Sequence, residues 1–505
     1  MGLVRREIGG IADSFPIERL VTVEMSALRR ADIQFFNPSK SMKRIQTITS
    51  IALLACLFSQ KINAEDGLGL LSDDKLLADL QGVNWGNDWT SSVGGSLRYR
   101  YLNERNRLRP PLVAGQSDYQ QWRFTPYLEL KYRQDVTFFA EAIDASTFGE
   151  DLPEVAIDTN RLDLLRYFAD INLYDFDDQS SVHFKVGRQF LKYGSQHLIS
   201  PLGWANTFRN FEGGKLYYTS PDWDIDAFLV RPVHEPTAAV QPKSVDSPDQ
   251  SRMFTGIYST YKGFSDSTLD IYWLWLREQD DRLDRQDGNR HTIGARYAGK
   301  KPLTFVDSTF NWDVEGAYQF GKDDFGSTMD EDVNAGFVSA NGGLAFNNIA
   351  WKPAINGIFW WGSGDDDPGD GTNNTVSTLF PLGHAYWGQI DNFNGSNLLD
   401  YGVHLTVKPA DKLTLLAGWH WFDKAANEDA IYNIAGAPFG GVSTTPSNLG
   451  NELDLIATYQ ANKNLTFQLG YFHFWYGDAV SSNPNALVAD RNDANQIYFL
   501  TNLNF

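Results

Sequence analysis

Residues 123–132 read Arg123-Phe124-Thr125-Pro126-Tyr127-Leu128-Glu129-Leu130-Lys131-Tyr132. In an extended chain Phe124, Pro126, Leu128, Leu130 and Tyr132 share one face. Arg123, Thr125, Glu129, Lys131 and, one residue on, Arg133 share the other, because successive side chains of a strand point to opposite sides. The pattern recurs in both directions. Upstream, Val93, Leu97, Tyr99 and Tyr101 alternate with Ser96, Arg98 and Arg100. Downstream, Leu165, Tyr167, Ala169, Ile171 and Leu173 alternate with Arg166, Asp170 and Asn172, and Leu269, Ile271, Trp273 and Trp275 with Asp270 and Tyr272. Further on, Phe310, Trp312, Val314, Tyr318 and Phe320 oppose Asn311, Asp313, Glu315 and Gln319. Val403, Leu405 and Val407 oppose His404, Thr406 and Lys408, and Leu465, Phe467, Leu469 and Tyr471 oppose Thr466 and Gln468. The chain is all-β.

A soluble sandwich would alternate in the same way, and three details argue against one. The runs extend to about 9–11 residues, the length of a tilted membrane strand. Aromatic residues make up 14 % of the chain and gather at strand ends, as at Trp85, Trp89, Trp122, Trp223, Trp351, Trp360, Trp361, Trp419, Trp421 and Trp475, which suits two interfacial girdles. Short turns (Arg133-Gln134-Asp135, Pro409-Ala410-Asp411-Lys412) alternate with long polar loops near 233–251, 362–396 and 423–450. Residues 496–505 supply an amphipathic last strand, with Ile497, Phe499, Thr501, Leu503 and Phe505 on one face. A strand of this kind resembles the signal that bacterial outer-membrane assembly machinery reads. The expectation is an antiparallel transmembrane β-barrel of about 18 strands, with long extracellular loops and short periplasmic turns.

The N-terminal region fits that destination. Met42-Lys43-Arg44 precedes an apolar stretch, Ile45 to Phe58, and small and polar residues lead to Asn63-Ala64. This is the layout of a secretory signal peptide over 42–64, with a lipoprotein signal at Leu53-Leu54-Ala55-Cys56 as the rival reading. Residues 1–41 match no part of an export signal and read as an upstream-start artefact. Residues 65–90 read as a short periplasmic segment and 91–505 as the barrel. The single cysteine, Cys56, falls in the signal, so disulfides play no part. Residues 1–64 carry nine Lys/Arg and five Asp/Glu of a chain whose net charge is −20, which leaves −24 for the remainder. That balance disfavours nucleic acid as a partner.

The inward faces carry what functional information the strands hold. Arg98, Arg100, Arg123, Lys131, Arg133, Arg166, Arg296 and Lys408 point to the expected lumen, with Glu141, Asp170, Glu315 and Gln319. A barrel of this size is wide enough for water unless loops plug it. Guanidinium forks suit carboxylates and rings of basic residues favour anions; alternatively, these charges pair across the barrel wall and only stiffen it. For Arg188, Lys192, Arg209 and Lys215 the register leaves the facing open.

Gly187-Arg188-Gln189-Phe190-Leu191-Lys192-Tyr193-Gly194, Trp204-Ala205-Asn206 and Arg209-Asn210-Phe211-Glu212-Gly213 together resemble the alginate-export outer-membrane family. Leu379-Phe380-Pro381-Leu382-Gly383-His384-Ala385-Tyr386-Trp387-Gly388 and Leu449-Gly450-Asn451-Glu452-Leu453-Asp454 are similar to its later blocks. The resemblance spans roughly residues 90–505. It departs at Gly194-Ser195-Gln196, where an acidic residue would follow the glycine. The resemblance implies an 18-strand barrel with an Arg-rich, anion-selective pore for a uronic-acid polymer, and it adds Arg188 and Arg209 to the pore candidates. The expected substrate is an anionic, alginate-like polysaccharide or its oligomers, moving passively. A general anion-preferring porin is the alternative, and an outer-membrane barrel enzyme is a third reading without a motif behind it. No Gly-x-Ser-x-Gly or His-Glu-x-x-His motif occurs, so no catalytic residue, cofactor or metal ligand is assigned. Asp365, Asp366, Asp367 and Asp370 offer hard oxygens for Ca²⁺, but without EF-hand spacing they equally make a solvated loop. His384 reads as a packing residue.

Overall fold

The alternation is realised as strands in the computed structural model, which describes residues 77–108, 115–234, 245–279, 288–304, 307–323, 331–439, 446–482 and 493–505. The upstream segment 1–41 and the signal peptide 42–64 lie outside the described residues. Eighteen antiparallel strands close into a barrel. They are β1 (Trp89–Arg105), β2 (Gln116–Tyr132), β3 (Val136–Phe148), β4 (Asn160–Asp177), β5 (Ser180–Gln189), β6 (Phe211–Thr219), β7 (Trp223–His234), β8 (Arg252–Tyr261) and β9 (Ser267–Glu278). The second half comprises β10 (Gly288–Leu303), β11 (Ser308–Asp323), β12 (Glu331–Phe346), β13 (Ala354–Gly362), β14 (Leu398–Ala410), β15 (Leu413–Asp423), β16 (Asn448–Gln460), β17 (Leu465–Tyr476) and β18 (Ala494–Asn504). Each strand pairs with its sequence neighbours, and β1 pairs with β18 from Ser96↔Asn504 to Arg105↔Asn495. Closure leaves no sheet edge, which is what a bilayer without water demands of the backbone.

The two ends differ. Connections at 133–135, 178–179, 220–222 and 411–412 are tight turns, whereas the opposite end carries 190–210, 363–397 and 424–447. In outer-membrane barrels the short turns are periplasmic. Val83–Gly86 folds back on β1 through Asn87 and Asp88, whose φ values of 50° and 67° make the twisted two-residue turn that hairpins prefer.

Outward positions are apolar and exposed, as at Ile257, Ile271, Ile293, Val314, Val403, Leu405, Leu455, Leu469 and Phe499, and form the lipid-facing band. Two expectations are corrected. Leu165 does not share the outward face with Tyr167 and Ile171, because β4 bulges opposite Glu141 and Ala142. Leu165 turns inward onto Ile143 and Ala145, while Leu162 and Leu164 face out. Trp360 is no girdle residue: it is buried inside the barrel, and its neighbour Trp361 faces out.

The larger departure concerns the loops. Residues 190–210 and 363–397 enter the barrel and join there. Ile199 bridges Phe380 in parallel, Ser200 N–H donates to Phe380 O at 2.8 Å, and Phe380 N–H donates to Leu198 O at 2.9 Å. Leu191, Leu198, Ile199, Phe380, Trp387, Ile390 and Phe393 bury against inward Phe228, Phe254, Leu274, Phe337, Trp360, Phe472 and Phe474. The hydrophobic core of this barrel therefore sits inside its lumen. On β9 the run Tyr272-Trp273-Leu274-Trp275-Leu276 is apolar on both faces because lipid covers one and the folded-in loops cover the other.

Candidate functional site

The folded-in loops are held by buried arginines on β1 and β2. Arg98 donates through Nη1 to Gly203 O and Trp204 O (3.1 Å each) and through Nη2 to Ala205 O (2.6 Å) and Asn206 Oδ1 (3.2 Å). Arg123 donates to Ala205 O at 2.9 Å and Gly203 O at 3.2 Å, and its guanidinium lies 4.1 Å from the Phe208 ring centroid. Arg100 donates to Trp204 O at 2.9 Å and to Gln121 Oε1 at 3.0 Å, and stacks 4.4 Å from the Trp204 ring. These three side chains converge on the carbonyls of residues 203–205 and are at most 6 % exposed.

Around the wall, inward carboxylates take a basic side chain, a tyrosine or both, and Glu315 takes a tyrosine and a histidine. Asp170 pairs with Lys185 at 2.9 Å and accepts from Tyr217. Asp226 pairs with Lys215 at 2.7 Å and accepts from Tyr193 at 2.6 Å. Burial, then the Asp226 carboxylate, holds the Tyr193 phenol well above its usual pKa, so it remains a donor. Asp270 accepts from Tyr258 at 2.9 Å and pairs with Arg296 at 3.0 Å, and Arg296 also reaches Asp313 at 2.8 Å. Glu315 accepts from Tyr272 at 2.8 Å and contacts His197 Nδ1 at 2.6 Å. Ser195, the position where the resemblance led us to expect an acid, accepts from Arg296 Nε at 2.7 Å and donates to Asp313. The carboxylate at this point thus comes from β11.

The remaining sequence candidates are placed as follows. Arg188 is buried, pairs with Glu212 at 3.1 Å and donates to Asp246 O at 2.6 Å. It is turned there by Gly187, at φ +125° beside the Tyr167 carbonyl, which faces Gly213 across the β5–β6 ladder. Arg166 pairs with Glu141 at 2.6 Å. Lys131 pairs with Glu129 at 2.8 Å, and Arg133, in the turn after β2, pairs with Asp88 at 2.7 Å; both basic side chains are exposed toward the periplasmic end. Lys408 is exposed near the same end of β14. Lys192 is exposed and Arg209 reaches the lumen from the β5–β6 loop, donating to Pro381 O at 3.1 Å.

Between the loops and the wall lies a cavity of about 470 Å³. Four guanidiniums border it: Arg107 after β1, Arg209 from the folded-in loop, Arg252 on β8 and Arg290 on β10. Arg209 and Arg252 flank the Phe380 ring at 5.6 and 5.4 Å. Arg290 pairs with Asp323 at 2.6 Å, Arg252 pairs with Glu278, and Thr375, Ser377 and Thr378 add polar groups. Asp391 receives the Trp204 indole N–H at 3.1 Å, and Trp204 stacks on His384 at 3.6 Å. Of the sequence candidates only Arg209 borders this cavity. Arg107, Arg252 and Arg290 were missed because they stand at or just beyond strand ends, where alternation fades.

A closed antiparallel barrel with inward-folded loops and an apolar outer band has the architecture of a channel of the bacterial outer membrane. The sequence profile of the family described as Alginate export matches residues 90–493, so the chain belongs to that family. Among solved structures, Pseudomonas aeruginosa OpdK is 11 % identical with a TM-score of 0.54, covering 82 % of this chain and 98 % of its own. P. aeruginosa OccK8 (OprE) is 15 % identical with a TM-score of 0.53 and the same coverages. P. aeruginosa OprD is 13 % identical with a TM-score of 0.52, covering 84 % and 96 %. At these identities the likeness is one of fold. No curated protein sequence matches the chain.

Proposed function

We propose that this channel passively conducts an anionic polysaccharide of the uronic-acid type, alginate-like, or its oligomers. The observation that carries the reading is the convergence of Arg107, Arg209, Arg252 and Arg290, from four separate elements, on one cavity in a chain of net charge −20. Guanidinium forks present paired donors to a carboxylate, and the Trp204 edge and the hydroxyls of Thr375, Ser377 and Thr378 line the cavity beside them. The buried Arg98, Arg100 and Arg123 act on the solute through the loop they fix. A second reading, a general anion-preferring porin for small solutes, draws on one structural neighbour: P. aeruginosa OpdK was solved with vanillate, a small carboxylate, at 12 % identity and a TM-score of 0.53.

Reversal potentials in planar bilayers under a salt gradient, followed by added uronate oligomers, separate the two readings. We expect anion preference with concentration-dependent block by oligomers. In the Arg209→Gln/Arg252→Gln variant both should weaken. Anion preference with no block by long oligomers would favour the small-solute porin, and unchanged selectivity in the variant would remove these arginines from the filter.

A further inference from the structure

Midway along β14, β15 and β16 the wall holds a cluster that lies apart from the arginine-bordered cavity. His404 on β14 and His420 on β15 face each other at 2.9 Å, Nε2 to Nε2. Asp454 on β16 places Oδ2 3.9 Å from His420 Nε2, and the ligand atoms of all three residues lie within 4.8 Å of one another. The pairing brings them together: His404 lies opposite Gly418, which lies opposite Asp454, while His420 lies opposite Gly402 and Glu452. The two glycines make the room. A Cβ on Gly402 would stand 2.9 Å from the His420 ring, and one on Gly418 would stand 2.8 Å from the His404 ring. Neither imidazole could keep its place over any larger residue.

Three features favour a cation. His420 Nδ1 faces both oxygens of Asp400, at 2.9 and 3.0 Å, which leaves its Nε2 lone pair aimed at His404 and Asp454. A carboxylate behind an imidazole is the usual arrangement around a metal-bound histidine. Asp454 is fully buried, and its hydrogen-bond partner is another buried acid, the Glu452 carboxyl one step along the same strand. Finally, Asp400, Glu452 and Asp454 are all buried, and among the described residues no Lys or Arg pairs with any of them. Buried charges in proteins are paired or coordinate metals.

We propose that His404, His420 and Asp454 bind one divalent transition-metal ion in the barrel wall. Two imidazole nitrogens and one carboxylate oxygen match Zn²⁺ in ligand type and number, with a fourth position left for water. Tetrahedral ligands at about 2.0–2.1 Å stand roughly 3.3 Å apart, so the two imidazoles would part slightly and the Asp454 carboxylate would move in by at most about 1.5 Å. Bound there, the ion would tie three strands together. Glu452, one step along β16, accepts the Ile390 N–H at 2.8 Å and links the site to the folded-in loop 363–397. This proposal is independent of what the channel carries.

The test uses tag-free, metal-stripped chain refolded in detergent and titrated with Co²⁺. The expected result is a set of visible ligand-field bands that saturates at one Co²⁺ per chain and is displaced by Zn²⁺. Asp400→Asn should weaken binding by about 10–100-fold, as loss of a carboxylate behind a metal-bound histidine does elsewhere. His404→Ala/Asp454→Asn should abolish the bands, with heat-modifiable gel mobility confirming a folded barrel. Absence of bands in the unsubstituted folded chain overturns the proposal without recourse to any variant. So do bands that persist in folded His404→Ala/Asp454→Asn.

Discussion

Substituting Arg98 by Met removes the strongest tie between the wall and the loop that narrows the lumen. Arg98 contributes four hydrogen bonds, to Gly203 O, Trp204 O, Ala205 O and Asn206 Oδ1. A hydrogen bond to a charged group contributes roughly 1.5–3 kcal/mol net. Counting only two of the four at the low end, because the freed carbonyls can take water, the docked loop loses about 3 kcal/mol. That shifts its docked-to-undocked ratio by roughly 100-fold. The barrel itself should survive, since the β1 ladder to Arg123 and Asn502 is made by backbone. Single-channel recordings should show larger mean conductance and frequent open-state flicker. Arg98→Lys is the control: it keeps the charge but cannot reach four acceptors, so flicker should rise while ion selectivity stays put. Folded Arg98→Met channels with unaltered conductance and noise would refute the clamp.

Two further predictions follow from the same region. Gly187 stands at φ +125° with a would-be Cβ 2.3 Å from Tyr167 O, so Gly187→Val should destabilise the barrel by roughly 1–3 kcal/mol, measurable as a lower urea midpoint in detergent. Asp246, in the loop after β7, has its carboxyl pushed up to about 7 by burial and then by Asp163. An acid whose folded pKa is raised binds more protons folded than unfolded. Docking of residues 245–251 therefore weakens as pH climbs from about 4 to 7, by at most about 1.4 kcal/mol per pH unit, and levels off above. Protease cleavage within 245–251 should be slower at pH 5 than at pH 8, and Asp246→Asn should remove the difference; equal rates in the unsubstituted chain would refute the assignment.

The alternation of residues such as 123–132 was enough to specify strands, their outward faces and a closed barrel, because period-two patterning and backbone satisfaction in lipid are properties a linear chain displays. The same alternation sets Arg98, Arg100 and Arg123 on the face opposite the lipid, where the structure buries them beneath the 190–210 loop. What they touch was not legible. The stretches near 362–396 and 423–450 looked like long polar connections, yet Phe380, Trp387 and Phe393 in the first lie inside the barrel. Their partners Phe254, Phe337 and Phe472 are remote in sequence. The bulge at Leu165 reversed one face locally, a shift of one residue that hydrophobic alternation does not register. The cavity of Arg107, Arg209, Arg252 and Arg290, and the meeting of His404, His420 and Asp454, are products of strand register and loop insertion. Sequence determines which way each strand residue points. Only the closed tertiary structure decides which charges meet, because those meetings join residues tens to hundreds of positions apart.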